Sequence, residues 1–249
     1  MTAAEFAKTV APYLKADGVK TSNAVTGGYT ISGLDAGYYL VKDQDNSLNN
    51  ADDFYTAYIM EVVGDVNAKP KGDKPTLEKQ IKDNDTGDWG VVGDNQIGDT
   101  VEFRTISTVP DTKYDYIISD TMSDGLTFNN DVTIMVNGKV LPQEYYAVTV
   151  TGNSFRVEIN ILEAIAAGYM TADDQIITSY SGVLNENAKV YDKGKQDNSA
   201  HLVYSNNPNN AQDRGRTPDS KVYDWTFIRS IKITLLWTVL SSFSPRKVP

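Results

Sequence analysis

Hydrophobic and polar residues alternate over many short stretches of this chain, which is the pattern of β-strands rather than of helices. Turn-forming Gly, Pro, Asn and Asp residues separate the stretches. In the longer, later part of the chain the predicted strands are Lys74–Lys82, Asp99–Val109, Tyr114–Asp120, Val132–Val136, Tyr145–Val150, Ser154–Ile159, Gln175–Leu184 and Ala200–Tyr204. So many short strands with frequent turns predict an all-β sandwich.

The earlier part of the chain follows the same pattern with fewer strands. Strands are predicted at Gly28–Leu34, Gly37–Val41 and Tyr55–Val66, and the stretch Asn67–Pro75, which is rich in Lys, Pro and Gly, predicts an interdomain linker. The domain boundaries expected from this pattern are 1–72, 73–224 and 225–249. The last is an atypical tail whose composition indicates a truncated or frame-shifted end, with a plain extra strand as the alternative. Short helices are predicted at Thr2–Lys15 and Ile161–Met170.

Composition narrows the class of protein. The 249 residues carry a net charge of -10, which argues against a nucleic-acid partner because phosphate binding needs clustered Lys and Arg. The chain has no cysteine, so disulfides, thiol catalysis and Cys-based zinc sites are excluded. The apolar stretch Phe227–Leu240 is interrupted by two basic residues and is too short to span a bilayer, so no membrane partner is expected.

Three polar side chains fall on predicted core faces. Lys79 alternates in phase with Leu77 and Ile81, Asp120 lies in phase with Ile118 and Tyr116, and Asn206 lies in phase with Leu202 and Tyr204; the matching stretches are 77–81, 116–120 and 202–206. A charged group on a core face is costly unless it is paired or neutralised. Hydrated residues near strand ends are the alternative, because alternation alone gives any residue an even chance of facing inward.

A buried Lys, Asp and Asn together predict a self-formed amide cross-link. Burial lowers the pKa of a lysine and raises that of an aspartate, so both become neutral. Neutral Lys79 could then attack the side-chain carbonyl carbon of Asn206, while protonated Asp120 polarises that carbonyl and ammonia leaves. A rigid core would supply the proximity that an enzyme otherwise provides.

The sequence gives little support for histidine-based catalysis, metal binding or hydrolysis. The lone His201 lies on the face opposite Tyr204 and predicts an exposed or half-buried strand residue. Two acidic stretches, 43–47 and 83–88, have oxygen ligands at alternate positions but lack the glycine and closing Glu of an EF-hand, so solvated loops are the better interpretation. We therefore expect no metal site and no cofactor, and no hydrolase motif is present.

The chain resembles the major (backbone) pilins of Gram-positive bacteria, in particular their isopeptide-forming second domain. The segments that carry the resemblance are Pro75–Lys79 (PTLEK), Asp120–Phe128 (DTMSDGLTF) and Ala200–Pro208 (AHLVYSNNP). The resemblance implies an immunoglobulin-like (Cna-type) sandwich in which Lys79 bonds to Asn206 and Asp120 is the catalytic acid. Asn207, on the other face by alternation, is the rival to Asn206.

The resemblance extends upstream of the linker. Residues 29–34 and 37–41 are similar to the closing half of a pilin N-terminal domain, so residues 1–72 would be the incomplete C-terminal part of that domain. Val66–Lys71 (VNAKPK) resembles the pilin motif whose lysine accepts the next subunit from sortase, which implies Lys71 as acceptor with Lys69 as rival. A secretion signal, the first half of the N-terminal domain and an LPxTG-type sorting signal are missing, so a fragment is expected.

The function implied by the resemblance is that of a structural subunit of a sortase-assembled pilus on the cell wall, outside the cell. Its partners would be identical pilin subunits, joined by sortase, and host surface ligands. It would not be an enzyme beyond its own cross-linking. The alternative is a collagen-binding-type adhesin module with the same sandwich, which would lack a sortase-acceptor lysine.

Overall fold

The computed structural model of this chain describes residues 6, 9–13, 23–25, 28–67 except 45, 54 and 56, 74–109, 116–190 except 172, 194–207 and 212–227. Within these ranges the chain is nearly all β. The predicted helix Thr2–Lys15 lies mostly outside the described residues, which include a 3-10 turn at Ala11–Tyr13.

Two sheets, each of seven strands in the described ranges, face one another across one core. Their strands are β5 Leu77–Lys82, β6 Trp89–Gly90, β7 Val92–Gly93, β8 Thr100–Thr108, β9 Tyr116–Met122, β10 Leu126–Phe128, β11 Thr133–Val136, β12 Lys139–Val140, β13 Tyr146–Thr151, β14 Ser154–Ile159, β15 Gln175–Leu184, β16 Gln196–Ser205, β17 Arg214–Arg216 and β18 Ser220–Asp224. The first sheet has the order β12-β11-β15-β8-β5-β6 with β10 also paired to β15, and the second has the order β13-β14-β9-β16-β18-β7 with β17 also paired to β16. All of these pairs are antiparallel except β18 with β7. This is the predicted immunoglobulin-like sandwich.

The part of the chain before the linker contributes two separate hairpins in the described ranges. Strands β1 Asn23–Val25 and β2 Gly28–Thr30 form one, and β3 Gly37–Lys42 and β4 Ala57–Val62 form the other. Strand β3 matches its prediction closely, whereas β4 is shorter than the predicted Tyr55–Val66 at both ends.

The core lies between the sheets because each central strand turns its alternate residues inward. Strand β8 shows the pattern plainly: Val101, Phe103, Thr105 and Ser107 are buried, and the residues between them are not. Strands β14 and β15 have the predicted bounds. The predicted helix after β14 is present as α1, Ile161–Ala166, which begins with the Asn160 side chain accepting the Glu163 N–H and buries Ile161.

Strand β16 is longer than predicted. The sequence places its start at Ala200, but the structure begins it at Gln196 and pairs residues 196–200 with β18. The polar run Gln196–Ser199 is typical of a turn in isolation. Here the neighbouring strands β9 and β18 satisfy its backbone groups on both sides, so the ladder outweighs the local preference.

The sandwich continues past β18. Trp225 N–H donates to the Gly93 carbonyl, and Phe227 N–H donates to the Asn95 carbonyl, so residues 225–227 of the predicted tail are bonded to the 93–95 segment. Residues 228–249 lie outside the described ranges. Among the described helices, none has the length and the apolar character needed to cross a bilayer.

Candidate functional site

Lys79 is turned into the core by the alternation of β5. It is fully buried, as is Ile81 on the same face, while Glu78 is exposed. Its backbone N–H donates to the Ser220 hydroxyl at 2.9 Å, which joins β5 of the first sheet to β18 of the second. The predicted inward orientation of Lys79 is therefore confirmed.

Asp120 meets Lys79 from the opposite sheet. It lies on β9, opposite Ala200 of β16, and its carboxylate is fully buried. The Lys79 ammonium contacts Asp120 Oδ2. Two of the three predicted residues thus come together, and they do so across the interior of the sandwich.

Tyr180 on β15 completes the contact and was not predicted. Lys79 Nζ contacts its hydroxyl, and the hydroxyl donates to Asp120 Oδ2 at 2.5 Å. The side chain is only 4% exposed. The alternating pattern of β15 places Tyr180 on the core face, but a tyrosine on a core face is common. Only the meeting of three strands shows that its hydroxyl reaches the charged pair.

Asn198 is the amide at this cluster. Its Nδ2 donates to the Tyr180 hydroxyl at 3.1 Å, and the residue is 1% exposed. Its Oδ1 is buried and, within the described residues, has no hydrogen-bond partner. Asp120 Oδ1 is in the same condition. A lysine amine, a carboxyl and a carboxamide therefore all lie within hydrogen-bonding reach of one phenol oxygen.

Aromatic rings enclose the cluster on the apolar side. Phe103 stacks on Tyr180 with ring centroids 5.5 Å apart, and Phe155 meets Tyr180 edge-on at 4.7 Å. Phe128 stacks in turn on Phe155 at 4.5 Å. Lys79 Nζ lies 4.8 Å from the centroid of the Tyr180 ring. These rings keep water from the polar groups and lower the local dielectric constant.

Burial shifts the protonation of all three titratable groups. It lowers the pKa of Lys79, against the opposing attraction of Asp120. It raises the pKa of Asp120, against the opposing effects of Lys79 and Tyr180. It also raises the pKa of Tyr180 well above 10.0, and the neighbouring Asp120 adds to this. The environment thus favours a neutral amine beside a protonated acid.

Asn206 is not brought to this cluster. Asp120 pairs with Ala200, so Asn198 lies two residues from that level of β16, whereas Asn206 follows the strand six residues away in the other direction. At roughly 3.3 Å per residue that is a separation of about 20 Å. Asn206 is buried, but Ser205 and Asn207 on either side of it are buried too, so burial does not distinguish Asn206 from its rival Asn207. Alternation also cannot say how far along the strand Lys79 reaches.

Asn206 instead contacts the segment that precedes the linker. Its Nδ2 donates to the Asp53 carbonyl at 3.2 Å, and its own carbonyl accepts the Tyr55 N–H at 2.7 Å. Nearby, the Tyr204 hydroxyl donates to the Asp52 carbonyl at 2.8 Å. Lys74 forms ion pairs with Asp52 at 3.2 Å and Asp53 at 2.9 Å. We name residues 51–53 and 55 the docked segment, because these bonds attach it to the end of the sandwich.

The remaining predicted residues are placed as follows. Lys71 and its rival Lys69 lie outside the described residues. His201 is half-buried, with Nδ1 at 3.2 Å from Arg216 Nη2, which agrees with its prediction as a strand residue. The acidic loop after β5 is closed by its own bonds, since Asp83 Oδ1 accepts the N–H groups of Asp85 and Thr86. Across the described ranges, no group of three His, Asp or Glu side chains could hold a metal ion.

Comparison with known proteins rests on structure. No family model matches the sequence, and no curated protein matches it. The full-length major pilin SpaD of Corynebacterium diphtheriae matches with 19% identity and a TM-score of 0.51, over 84% of this chain and 56% of that one. BcpA, the major pilin subunit of Bacillus cereus, matches with 14% identity and a TM-score of 0.52, over 77% of this chain and 55% of that one.

These structural neighbours are major pilins of Gram-positive bacteria. The chain spans a little over half the length of each of these two solved structures. At this level of identity the similarity is one of fold, and it agrees with the immunoglobulin-like sandwich described above.

Proposed function

We propose that this chain is a structural subunit of a sortase-assembled surface pilus, and that its sandwich is locked by an amide bond formed between Lys79 and Asn198. The single observation that carries the proposal is the buried meeting of Lys79, Asp120 and Asn198 around the Tyr180 hydroxyl. Hydrophobic burial alone does not explain why a sandwich would place an amine, an acid and a carboxamide in one dry site. A cross-linking reaction does.

The reaction joins the two side chains and releases ammonia. The lone pair of neutral Lys79 Nζ attacks Cγ of Asn198, and the C–O π electrons move to Oδ1. Asp120, protonated at the start, gives its proton to that oxygen, and the carboxylate so formed accepts the proton that Nζ loses. Collapse of the intermediate breaks the Cγ–Nδ2 bond, restores the carbonyl and returns the first proton to Asp120, while the proton taken from Nζ leaves with Nδ2 as ammonia. Burial prepares both groups, because it favours the uncharged form of each.

Asn198 replaces Asn206 as the proposed partner. Asn198 Nδ2 shares the Tyr180 hydroxyl with Lys79 Nζ, whereas Asn206 Nδ2 is bonded to the Asp53 carbonyl at the end of the sandwich. Asn198 and Asn206 are an even number of residues apart, so the argument from alternation applies to both once the strand is known to begin at Gln196. Asp120 lies opposite Ala200, which is two residues from Asn198 and six from Asn206, so its position favours Asn198.

A Lys79–Asn198 bond suits a protein that carries tension. It would join β5 of one sheet to β16 of the other, so pulling could not separate the sheets without breaking a covalent bond. The link also closes a long loop, which restricts the unfolded chain much as a disulfide does. The sequence has no cysteine with which to do this otherwise.

Assembly into a pilus is supported by the fold and by one sequence motif. The chain shares its fold with the major pilins SpaD and BcpA. The stretch Val66–Lys71 resembles the pilin motif, so we propose Lys71 as the group that sortase joins to the next subunit, with Lys69 as the rival. The protein would then be outside the cell, attached to the wall, with identical subunits as partners.

Intact-mass measurement tests the cross-link. We expect the purified chain to be lighter than its sequence mass by one ammonia, and Asn198→Ala and Asp120→Ala to have full mass. Asn206→Ala is the matched control and should still lose ammonia. A folded parent of full mass would overturn the cross-link, and loss of the deficit in Asn206→Ala alone would return the assignment to Asn206.

Incubation with a pilin sortase and a sorting-signal peptide tests assembly. We expect a covalent adduct on Lys71, mapped by peptide mass spectrometry, and its absence in Lys71→Arg. An adduct that moves to Lys69 would reassign the acceptor. No adduct on either lysine of the folded chain would count against the pilin and favour the adhesin module.

A further inference from the structure

We propose that Tyr180 is a catalytic residue of the cross-linking reaction, and that its hydroxyl carries the proton from Asp120 to the departing nitrogen of Asn198. The inference rests on the proposed Lys79–Asn198 bond and names the residue that completes it. Neither the sequence pattern nor the predicted set of Lys, Asp and Asn includes this tyrosine.

The geometry places one hydroxyl between every reacting group. Tyr180 O–H donates to Asp120 Oδ2 at 2.5 Å and accepts from Asn198 Nδ2 at 3.1 Å. Lys79 Nζ contacts the same oxygen. Phe103 and Phe155 contact the Tyr180 ring on two sides and fix the hydroxyl in this position. Tyr180 is therefore the direct hydrogen-bonded link between the acid and the leaving group.

The leaving group needs such a link. An amide nitrogen has no basic lone pair, which is why Asn198 Nδ2 donates to Tyr180 before the reaction. Attack by Lys79 on Cγ makes Nδ2 an amine with a free lone pair, so it can now accept a hydrogen bond. Once Asp120 Oδ2 has taken the proton from Lys79 Nζ, Oδ2 becomes the donor to the Tyr180 oxygen. The Tyr180 hydroxyl then turns to Nδ2 and gives it a proton while it takes the one from Oδ2. Ammonia leaves with the C–N electron pair, and both Tyr180 and Asp120 are ready to return to their starting forms.

The proton balance closes within the site. Asp120 receives one proton from Lys79 Nζ and supplies one, through Tyr180, to Nδ2. The net change is the formation of one C–N bond, the breaking of another and the release of NH₃, with no external acid or base. Burial and the adjacent Asp120 hold the pKa of Tyr180 well above 10.0. The phenol is thus neutral at physiological pH, as a relay that both accepts and donates must be.

Replacement of the hydroxyl is the first test. The full chain is synthesised in a cell-free reaction, samples are quenched in denaturant at successive times, and the fraction that has lost ammonia is measured by mass. We expect Tyr180→Phe to slow the loss by roughly 10²–10⁴-fold, the usual contribution of a positioned proton donor. Tyr116→Phe is the matched control, because it removes another fully buried phenol hydroxyl, one bonded to Ser107 and not to the cluster.

A series of fluorinated tyrosines at position 180 separates proton transfer from positioning. These residues keep the ring and the hydroxyl but make the phenol more acidic. If the hydroxyl delivers the proton, the rate of ammonia loss should rise with phenol acidity, and the same series at position 116 should leave it unchanged. This second measurement decides the question should Tyr180→Phe fail to fold.

The outcomes are distinguishable. Tyr180→Phe that cross-links at the parent rate, or a rate that does not respond to phenol acidity at position 180, would overturn the relay and leave the cross-link intact. A folded parent that never loses ammonia would overturn the cross-link itself, and the relay with it.

Discussion

Lys79 and Asp120 lie on different sheets, yet their amine and carboxyl groups meet in the middle of the sandwich with neither side chain exposed. The contact depends on two independent alternations, one along β5 and one along β9, both of which turn a polar residue inward. Removing one partner of a buried pair is costly, because it leaves the other without compensation. This relationship makes the site sensitive both to single substitutions and to pH.

The cross-link should dominate the stability of the sandwich. Asn198→Ala removes the bond, and the chain-entropy model for a loop of this length gives a loss of about 4–5 kcal/mol in the free energy of unfolding. A hydrogen bond of the cross-linking amide group accounts for only about 1 kcal/mol of additional effect. Urea unfolding of the parent and the variant, each with its mass state verified, measures the difference. A loss of only about 1 kcal/mol would contradict a covalent lock.

The stability of Asp120→Ala should rise with pH. This variant leaves Lys79 buried without its carboxylate, and burial lowers the pKa of Lys79 below its ordinary 10.5. Between the lowered value and 10.5 the unfolded state binds a proton that the folded state does not, so the free energy of unfolding increases with pH there. At pH 7 we expect the free energy of unfolding of Asp120→Ala to be about 3–5 kcal/mol lower than that of Asn198→Ala, which also lacks the cross-link.

The control for this pH effect is the double variant Lys79→Met, Asp120→Ala, which keeps only Tyr180 as a titratable group of the cluster, and burial raises the pKa of Tyr180 well above 10.0. Urea unfolding at several pH values from about 7 to about 10 should give a rising curve for Asp120→Ala relative to the double variant. Parallel curves would mean that Lys79 keeps an ordinary pKa and that the site is wetter than its burial indicates.

The docked segment should loosen when its side-chain bonds are removed. Tyr204→Phe deletes the hydroxyl that donates to the Asp52 carbonyl but keeps the buried ring. Loss of a hydrogen bond that contributes about 1 kcal/mol corresponds to roughly a fivefold increase in the equilibrium constant for local opening of the segment. Amide hydrogen exchange of the peptide covering residues 51–55 measures it, and Tyr116→Phe is again the control. We expect the cross-link to form normally, since Tyr204 does not contact the cluster.

The same segment should respond to acid through Asp53. The hydrogen bond from Lys74 is the largest of the effects that lower its pKa from 3.8 to about 2. A lowered carboxyl pKa means that the interaction is fully present above about 3.8 and is lost as the pH falls through about 2. NMR titration should give an Asp53 midpoint near 2 in the parent and one shifted toward 3.8 in Lys74→Ala. If the Asp53 midpoint is the same in the parent and in Lys74→Ala, the ion pair between Lys74 and Asp53 is broken in solution.

Alternation along the chain was enough to predict much of the site. It gave the inward orientation of Lys79 and Asp120, and it gave the bounds of β14 and β15, because a half-buried strand repeats with a strict period of two. It failed at the start of β16, where the polar run Gln196–Ser199 favours a turn in isolation. The partner strands β9 and β18, distant in sequence, hold that run in the ladder.

What the sequence determined by itself, then, is that Lys79 and Asp120 face inward, whereas it left Asn198 outside the predicted strand, which began at Ala200. What only the tertiary structure decided is which side chains meet. Register between strands is set by contacts between residues far apart in the chain, such as Lys79 with Asp120 and Lys79 with Ser220. The period of two is local and appears in the sequence, whereas register is a property of the assembled sheets. The register of these sheets places Asn198 and Tyr180 beside Lys79 and places Asn206 against the docked segment.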